Sequence, residues 1–158
     1  MLTDELARHG GEWKIIVLDA KTRLVKSCTV VENHIMNESL DQMAEILIGT
    51  APDFEIKYLA LGTDSTDVTN ADLTLGAEVF RIAPAIGPTR MSVGVIQTEF
   101  TVLATEAVST LEEIGIFCGS TASAAADSGL LMSRILWHHV KTNTEELAFI
   151  RTDTIGRG

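Results

Sequence analysis

Short β-type runs separated by turn-forming residues dominate this sequence of 158 residues. The runs are rich in Val, Ile, Leu and Thr and cover residues 13–18, 24–31, 56–61, 79–86, 91–103, 111–118, 129–138 and 146–152. Gly, Pro, Asp, Asn and Ser interrupt them at the spacing that is typical of a β-sandwich or barrel. The pattern predicts a mainly β fold, an antiparallel sandwich of about eight strands, with residues 87–89 at the tip of one long hairpin.

The clearest helical pattern occupies residues 37–48. Apolar residues recur there at positions 40, 43, 44 and 47, which is the spacing of an amphipathic helix. Asn37 or Ser39 can cap its start, and Gly49 stands where a left-handed residue commonly ends a helix. We therefore expect one amphipathic helix, packed on a sheet.

The length of the chain favours one domain, because domains cluster at about 100–150 residues. The β-type runs predict a single sandwich domain over residues 13–152. Residues 1–12, which include Gly10 and Gly11, and residues 153–158 are too polar for a core. We expect the first segment to be an N-terminal arm and the second a flexible C-terminal tail.

The balance of charged residues excludes several classes of partner. Asp and Glu number 22 against 12 Lys and Arg, for a formal net charge of −10. Phosphate attraction needs clustered Lys and Arg, so neither nucleic acid nor an anionic membrane is an expected partner. No run reaches the roughly 18 apolar residues that span a bilayer, and no signal peptide is visible. Cys28 and Cys118 fit free thiols in a protein made in the cytoplasm.

The few candidates for catalysis or metal binding have structural interpretations. His138 and His139 are neighbours on a predicted strand, so their side chains point to opposite faces and cannot easily share one ion. Glu112 and Glu113 diverge for the same reason, and we expect one of them to pair with Arg134 across the hairpin that fixes strand register. No nucleophile elbow or phosphate loop occurs. The sequence predicts no enzyme activity, no metal and no cofactor.

The acidic loop over residues 64–72 has two interpretations. Asp64, Asp67 and Asp72 could form a loose calcium site, although the Gly and Glu of the helix-flanked calcium motif are missing. Alternatively, Asp, Ser and Thr stabilise a connection through side-chain turns, and the loop contacts a partner. Residues 120–128, rich in Ala and Ser, are expected to form a mobile hairpin tip. Trp13 and Trp137 are expected to anchor a core or an interface.

Several segments in order resemble small structural proteins of phage virions. The helix at residues 37–48 with Gly49, the strand and turn at 56–64, and the element at 72–81 with Leu75, Gly76, Glu78 and Arg81 are similar to elements of that family. Later matches are Phe100, residues 113–117 with Glu113 and Gly115, residues 131–135 with Arg134, and Lys141. The resemblance spans residues 33–153.

The resemblance implies a non-enzymatic subunit of a phage virion, namely a tail-fibre, baseplate or neck/collar adaptor. It implies that the chain contacts itself, as a trimer or ring, and other virion proteins. The residues themselves make seven structural or interface candidates: Glu113, Arg134, Trp13, Trp137, Asp64, Asp67 and Asp72. The alternative function is a receptor- or glycan-binding module that takes a ligand on the host surface. One Tyr and two Trp are a poor supply of side chains for stacking on sugars.

Overall fold

Two antiparallel β-sheets form the protein, in a computed structural model that describes residues 7–51 and 53–157. In chain order the elements are β1 (Ala7–Asp19), β2 (Val25–Glu32), α1 (Asn37–Leu47), β3 (Ile56–Gly62), β4 (Glu78–Ile82), β5 (Ile86–Ser92), β6 (Val95–Val102), β7 (Thr110–Cys118), β8 (Leu130–Val140) and β9 (Glu145–Arg157). The larger sheet has the order β2-β1-β9-β6-β5 and the smaller sheet β4-β3-β7-β8. The predicted sandwich-like, mainly β fold is confirmed.

The main core lies between the two sheets. Alternate residues of each strand point inward, as the period of two requires. From the larger sheet they include Trp13, Ile15, Val17, Phe100, Val102, Leu147 and Phe149, and from the smaller sheet Leu59, Leu61, Ile114 and Ile116. Full burial of each large side chain contributes about 1.5–3 kcal/mol, so this layer supplies most of the stability.

A second, smaller core lies on the other face of the smaller sheet. Its buried residues are Met36, Ala60, Leu75, Phe117 and Leu131. Leu75 belongs to residues 63–77, the connection between β3 and β4, which we call the loop layer. Because this connection covers the sheet, the molecule has three layers, and the loop layer has the lowest content of regular structure.

Helix α1 lies beside β8, at the edge of the smaller sheet. Gly49 has φ +78, so the predicted left-handed residue after the helix is confirmed. The predicted caps are wrong: Met36 occupies the N-cap position without a side-chain hydrogen bond, and Ser39 is buried. Leu40 and Leu47 remain 49% and 87% exposed, so only part of the predicted apolar stripe packs on the protein. Within the described residues, no helix is long and apolar enough to cross a membrane.

The predicted boundaries of the first and last strands are wrong. β1 begins at Ala7, and its partner β9 extends to Arg157, so residues 7–11 pair with residues 153–157 as strands. Gly11 has φ +144, and a Cβ there would lie 2.0 Å from the carbonyl oxygen of Thr152. Backbone hydrogen bonds stabilise this extension independently of its side chains. The polar side chains of these residues therefore did not indicate strands in the sequence. Residues 1–6 of the predicted arm and residue 158 of the predicted tail lie outside the described part.

The predicted long hairpin with its tip at residues 87–89 is also wrong. β4 joins the smaller sheet, and the turn between β5 and β6 falls at Val93 and Gly94, where Gly94 has φ +71. Pro88 lies inside β5, which is an edge strand of the larger sheet. An edge position tolerates a residue without an N–H group, so Gly-Pro here does not mark a turn.

Candidate functional site

Glu113 of β7 and Arg134 of β8 meet on the face of the smaller sheet that the loop layer covers. Arg134 Nε donates a hydrogen bond to Glu113 Oε2 at 2.7 Å, which confirms the predicted pair. The side chains are 0% and 4% exposed. Gly115, not Glu113, stands directly opposite Arg134 in the strand register, so the pair is diagonal. A pair this deeply buried must satisfy all its hydrogen-bonding groups, since an unmet charge costs several kcal/mol.

The carboxylate of Glu113 takes its remaining hydrogen bonds from the backbone of the loop layer. Gly76 N–H donates to Oε2 at 3.0 Å, and Ala77 N–H donates to Oε1 at 2.8 Å. A longer bond of 3.4 Å comes from Asp64 N–H. Glu113 therefore holds both ends of the loop layer against the sheet.

The guanidinium of Arg134 also binds the loop layer. Nη1 donates to Asp72 Oδ2 at 2.7 Å, and Nη2 donates to the carbonyl oxygen of Thr66 at 3.1 Å. Asp64 Oδ2 lies 3.6 Å from Nη2. Arg134 thus occupies the position between Asp64 and Asp72 that a calcium ion would take. We refer to Glu113, Arg134, Asp64 and Asp72 as the charge cluster.

Asp64 and Asp72 each close a local turn as well as facing Arg134. Asp64 accepts hydrogen bonds from the hydroxyl and N–H of Thr66, and these bonds lower the pKa of the Asp64 carboxyl. Partial burial alone would raise the pKa of Asp72, but hydrogen bonds from Thr69 and Arg134 outweigh it and lower that pKa. Both carboxylates are therefore held in the charged form that the turn and the arginine require.

Three glycines make room for the charge cluster. A Cβ at Gly62 would lie 2.3 Å from Glu113 Oε1, and one at Gly76 would lie 1.8 Å from Asp64 Oδ2. A Cβ at Gly115 would lie 2.7 Å from Leu75 Cδ2, which covers the sheet at that point. A side chain at any of these three positions would therefore collide with the charge cluster or its cover.

A second buried pair holds residues 120–128. Arg81 donates two hydrogen bonds to the carboxylate of Glu78 at 2.7 and 2.8 Å, and the side chains are 3% and 2% exposed. Arg81 Nη1 also donates to carbonyl oxygens of Ser123 and Ser128. Asp127 N–H donates to Glu78 Oε2. Residues 120–128 are therefore hydrogen bonded to β4, whereas the sequence suggested a free tip.

The remaining candidate residues lie away from the charge cluster. Trp13 is 0% exposed and packs edge-to-face on Phe149, so it belongs to the core of this chain rather than to an interface. Trp137 is half-buried and packs on Phe149 and on the ring of His139. Asp67 is exposed in the loop layer, and the loop residues that bind Arg134 are instead Asp64, Thr66 and Asp72.

His138 and His139 point to different partners, as adjacent strand residues should. His138 Nδ1 lies 2.9 Å from Glu112 Oε1, and His139 Nε2 lies 3.0 Å from Glu145 Oε2. Across residues 7–51 and 53–157, no three His, Cys, Asp or Glu side chains converge as metal ligands would. The thiol of Cys118 is buried, and burial raises its pKa, so it is a poor nucleophile.

Two buried cations were not anticipated from the sequence. Arg151 of β9 makes two 2.7 Å hydrogen bonds to Asp153 and one to Ser133 Oγ of the opposite sheet. Lys141 Nζ donates to carbonyl oxygens of Leu103, Ala104 and Glu145 at 3.0–3.1 Å. One signal was visible for Arg151: it continues the alternate positions of Leu147 and Phe149, which face the core.

No family model, curated protein or solved structure matches this chain. The geometry of the charge cluster therefore carries the functional inference, together with the motifs. Chemically the cluster is closed: its carboxylates and guanidinium bind one another and the backbone. It can hold a loop in one conformation.

Proposed function

We propose that this chain is a non-enzymatic structural subunit of a phage virion, a tail-fibre, baseplate or neck/collar adaptor that joins other virion proteins. Its loop layer is the contact surface. It assembles with copies of itself and with neighbouring proteins of the particle, and it resides in the virion after synthesis in the host cytoplasm.

The observation that supports the proposal is the use of buried charge to fix an exposed loop. Glu113 and Arg134 are buried, yet most side chains of residues 65–74 are exposed, among them Leu73 at 62%. A contact surface that is ordered before binding loses less conformational entropy on association. Glu113 and Arg134, the buried pair of the charge cluster, also belong to the motifs by which the chain resembles virion proteins.

The closed chemistry of the cluster favours assembly over catalysis. An acid/base site needs a carboxylate or imidazole that can reach a substrate. Glu113 is sealed beneath the loop layer by four hydrogen-bond donors. What the surroundings offer to a partner is instead the rigid backbone and the exposed side chains of the loop.

The experiment compares particles from a host that carries the gene with particles from a deletion strain. We expect mass spectrometry to find the chain in purified particles at a fixed ratio to other virion proteins. We expect the deletion to yield particles that lack a tail, neck or fibre part. Absence of the chain from infectious particles would contradict the proposal.

Complementation with two neighbouring variants tests the role of the cluster. Glu113→Gln should reduce incorporation of the chain into particles, whereas Glu112→Gln should not, because Glu112 contacts the exposed His138 and not the loop layer. Equal incorporation of both would exclude the loop layer as the contact surface. Binding to host cells or glycans by a chain that never enters particles would favour the receptor-binding alternative.

A further inference from the structure

The edges of the two sheets differ in how they are protected. The outer edge of β8 is covered by residues 34–36, because Met36 N–H donates to the Met132 carbonyl and Ile35 pairs with Ser133. β4 has five residues, and residues 120–128 are bonded to its side chains. β5 contains Pro88 and two shifts of register. Such features prevent strands of other molecules from adding to an edge.

β2 is the exception among the sheet edges of the described chain. It has eight residues, contains neither Pro nor Gly, and is exposed at every residue except the half-buried Val31. Val25 and Val30 are 61% and 59% exposed, although both are apolar. Its pairing with β1 is regular from Ser27 to Glu32, and its single register shift lies at the start of the strand, at Lys26. An exposed, partly apolar edge with a regular run of this length readily takes an additional strand.

The direction of the free hydrogen-bonding groups of β2 can be read from its pairing with β1. Asn33 N–H donates to the Gly11 carbonyl, so alternate residues before it, including Val31 and Thr29, also point their backbone groups toward β1. The backbone groups of Cys28, Val30 and Glu32 therefore point outward. They are the groups that an added strand would bind.

The charges along this edge are arranged so that two copies related by a two-fold axis would bring opposite charges together. Lys21, Arg23 and Lys26 lie at one end, and Glu12 and Glu32 lie at the other. Arg23 and Lys26 pair with glutamates of their own chain but remain 60% and 44% exposed. An antiparallel pairing of two copies brings each basic end beside the acidic end of the other copy.

We propose that a second copy of this chain pairs its β2 with β2 antiparallel, making one continuous sheet across a two-fold axis. In the new ladder, residues whose backbone groups point outward must lie opposite residues of the same kind in the other copy. The two-fold axis must therefore pass through a residue, and pairing most of the strand places that residue near its middle. With the axis at Thr29, Cys28 lies opposite Val30 and the Lys26 end lies beside the Glu32 end. The proposal rests on the assembly role above, and it gives the self-contact two-fold symmetry where the resemblance implied a trimer or ring.

Sedimentation as a function of concentration tests the pairing. One added strand covers less than the roughly 1,200–2,000 Å² of a standard interface, so we expect a dimer that dissociates on dilution between about 1 and 500 µM. Val30→Lys should abolish the dimer. Ile86→Lys is the matched control, because Ile86 is 53% exposed on the opposite edge of the same sheet. This variant should dimerise as the wild type does. Thermal unfolding checks that both variants are folded.

Disulfide trapping tests the register. Thr29→Cys in a Cys28→Ser background should give a disulfide-linked dimer on oxidation, since opposed residues in an antiparallel pair lie within about 4.5–5.5 Å. Native Cys28 should not cross-link, because in this register it lies opposite Val30 of the second copy and not opposite the second copy's Cys28. A monomer at all concentrations would overturn the proposal, as would loss of the dimer in Ile86→Lys alone. Cross-linking by Cys28 alone would overturn the register.

The two proposals fail in different ways. A chain that enters particles but stays monomeric in solution, with Val30→Lys incorporated normally, would overturn the dimer and leave the virion role intact. A dimer of a chain that is absent from particles would overturn the virion role and leave the pairing intact.

Discussion

Glu113 and Arg134 are costly residues to bury. Removing a carboxylate or a guanidinium from water carries a penalty of several kcal/mol for each ion. The four donors to Glu113, the three hydrogen-bond acceptors of Arg134 and the nearby carboxylate of Asp64 offset that penalty only while all of them stay in place. The pair is therefore sensitive to changes that alter a single atom of the cluster.

Replacing the buried carboxylate should destabilise the protein strongly. Glu113→Gln keeps the shape of the side chain, but it removes the charge opposite Arg134 and turns an NH₂ group toward backbone donors. We expect a loss of about 3 kcal/mol in the free energy of unfolding. Urea denaturation of the variant and of Glu112→Gln checks this, and the control should change by less than about 0.5 kcal/mol.

Gly115 is the residue where an added methyl group should disturb the loop layer. Gly115→Ala places a Cβ 2.7 Å from Leu75 Cδ2, so the side chain that covers the sheet must move. Overpacking of this kind costs about 1–3 kcal/mol. Gly87→Ala is the control, because no atom lies within 4 Å of a Cβ there. Equal unfolding midpoints for the two variants would exclude the steric role of Gly115.

Asp72 should make the stability depend on pH in the acid range. Its pKa in the folded protein is lowered from an ordinary value of 3.8, so the folded state binds its proton less readily than the unfolded state. The resulting stabilisation is complete above about pH 4 and is lost as the pH falls through the folded-state pKa. We expect Asp72→Asn to be less stable at pH 7 and to lose less stability between pH 5 and pH 2. Parallel slopes would contradict the pairing with Arg134.

At the scale of elements, side-chain pattern predicted the strands better than their partners or ends. The runs that became β3, β7 and β8 were visible because their inward and outward residues are mostly apolar. The side-chain pattern did not predict the extensions of β1 and β9, because backbone pairing and not apolar burial holds them together. The Glu113–Arg134 pair was predicted from hairpin geometry, but its bonds to residues 64–77 depend on a loop that crosses the sheet and carries no periodic signal.

Residues 120–128 illustrate how a connection can be ordered by one side chain. Arg81→Lys keeps the charge but loses the planar fork that binds Glu78 and the two serine carbonyls. We expect the amide of Asp127, which donates to Glu78, to exchange with solvent at least tenfold faster in the variant. Arg90→Lys, at an exposed position of β5, is the control. Unchanged exchange at Asp127 would show that Arg81 does not order this connection.

At the scale of the whole molecule, internal pairing of cations leaves an acidic exterior. The side chains of Arg81, Arg134, Arg151 and Lys141 are buried, while many of the carboxylates that set the net charge of −10 are exposed. Four carboxylates, those of Glu78, Glu113, Glu145 and Asp153, are buried with these four cations, so the net charge of −10 lies on the surface. Partner proteins of the assembly proposed above that meet this surface away from the β2 edge should present Lys and Arg.

The sandwich and the loop layer should behave as one cooperative unit if the charge cluster joins them. The amides of Gly76 and Ala77 report on this most directly, because both donate to Glu113 although neither belongs to a strand. Hydrogen exchange of the whole chain measures them beside the amides of β7. We predict that they exchange as slowly as β7 in the wild type and in Glu112→Gln, and far faster in Glu113→Gln. Rapid exchange of both amides in the wild-type protein would contradict the account.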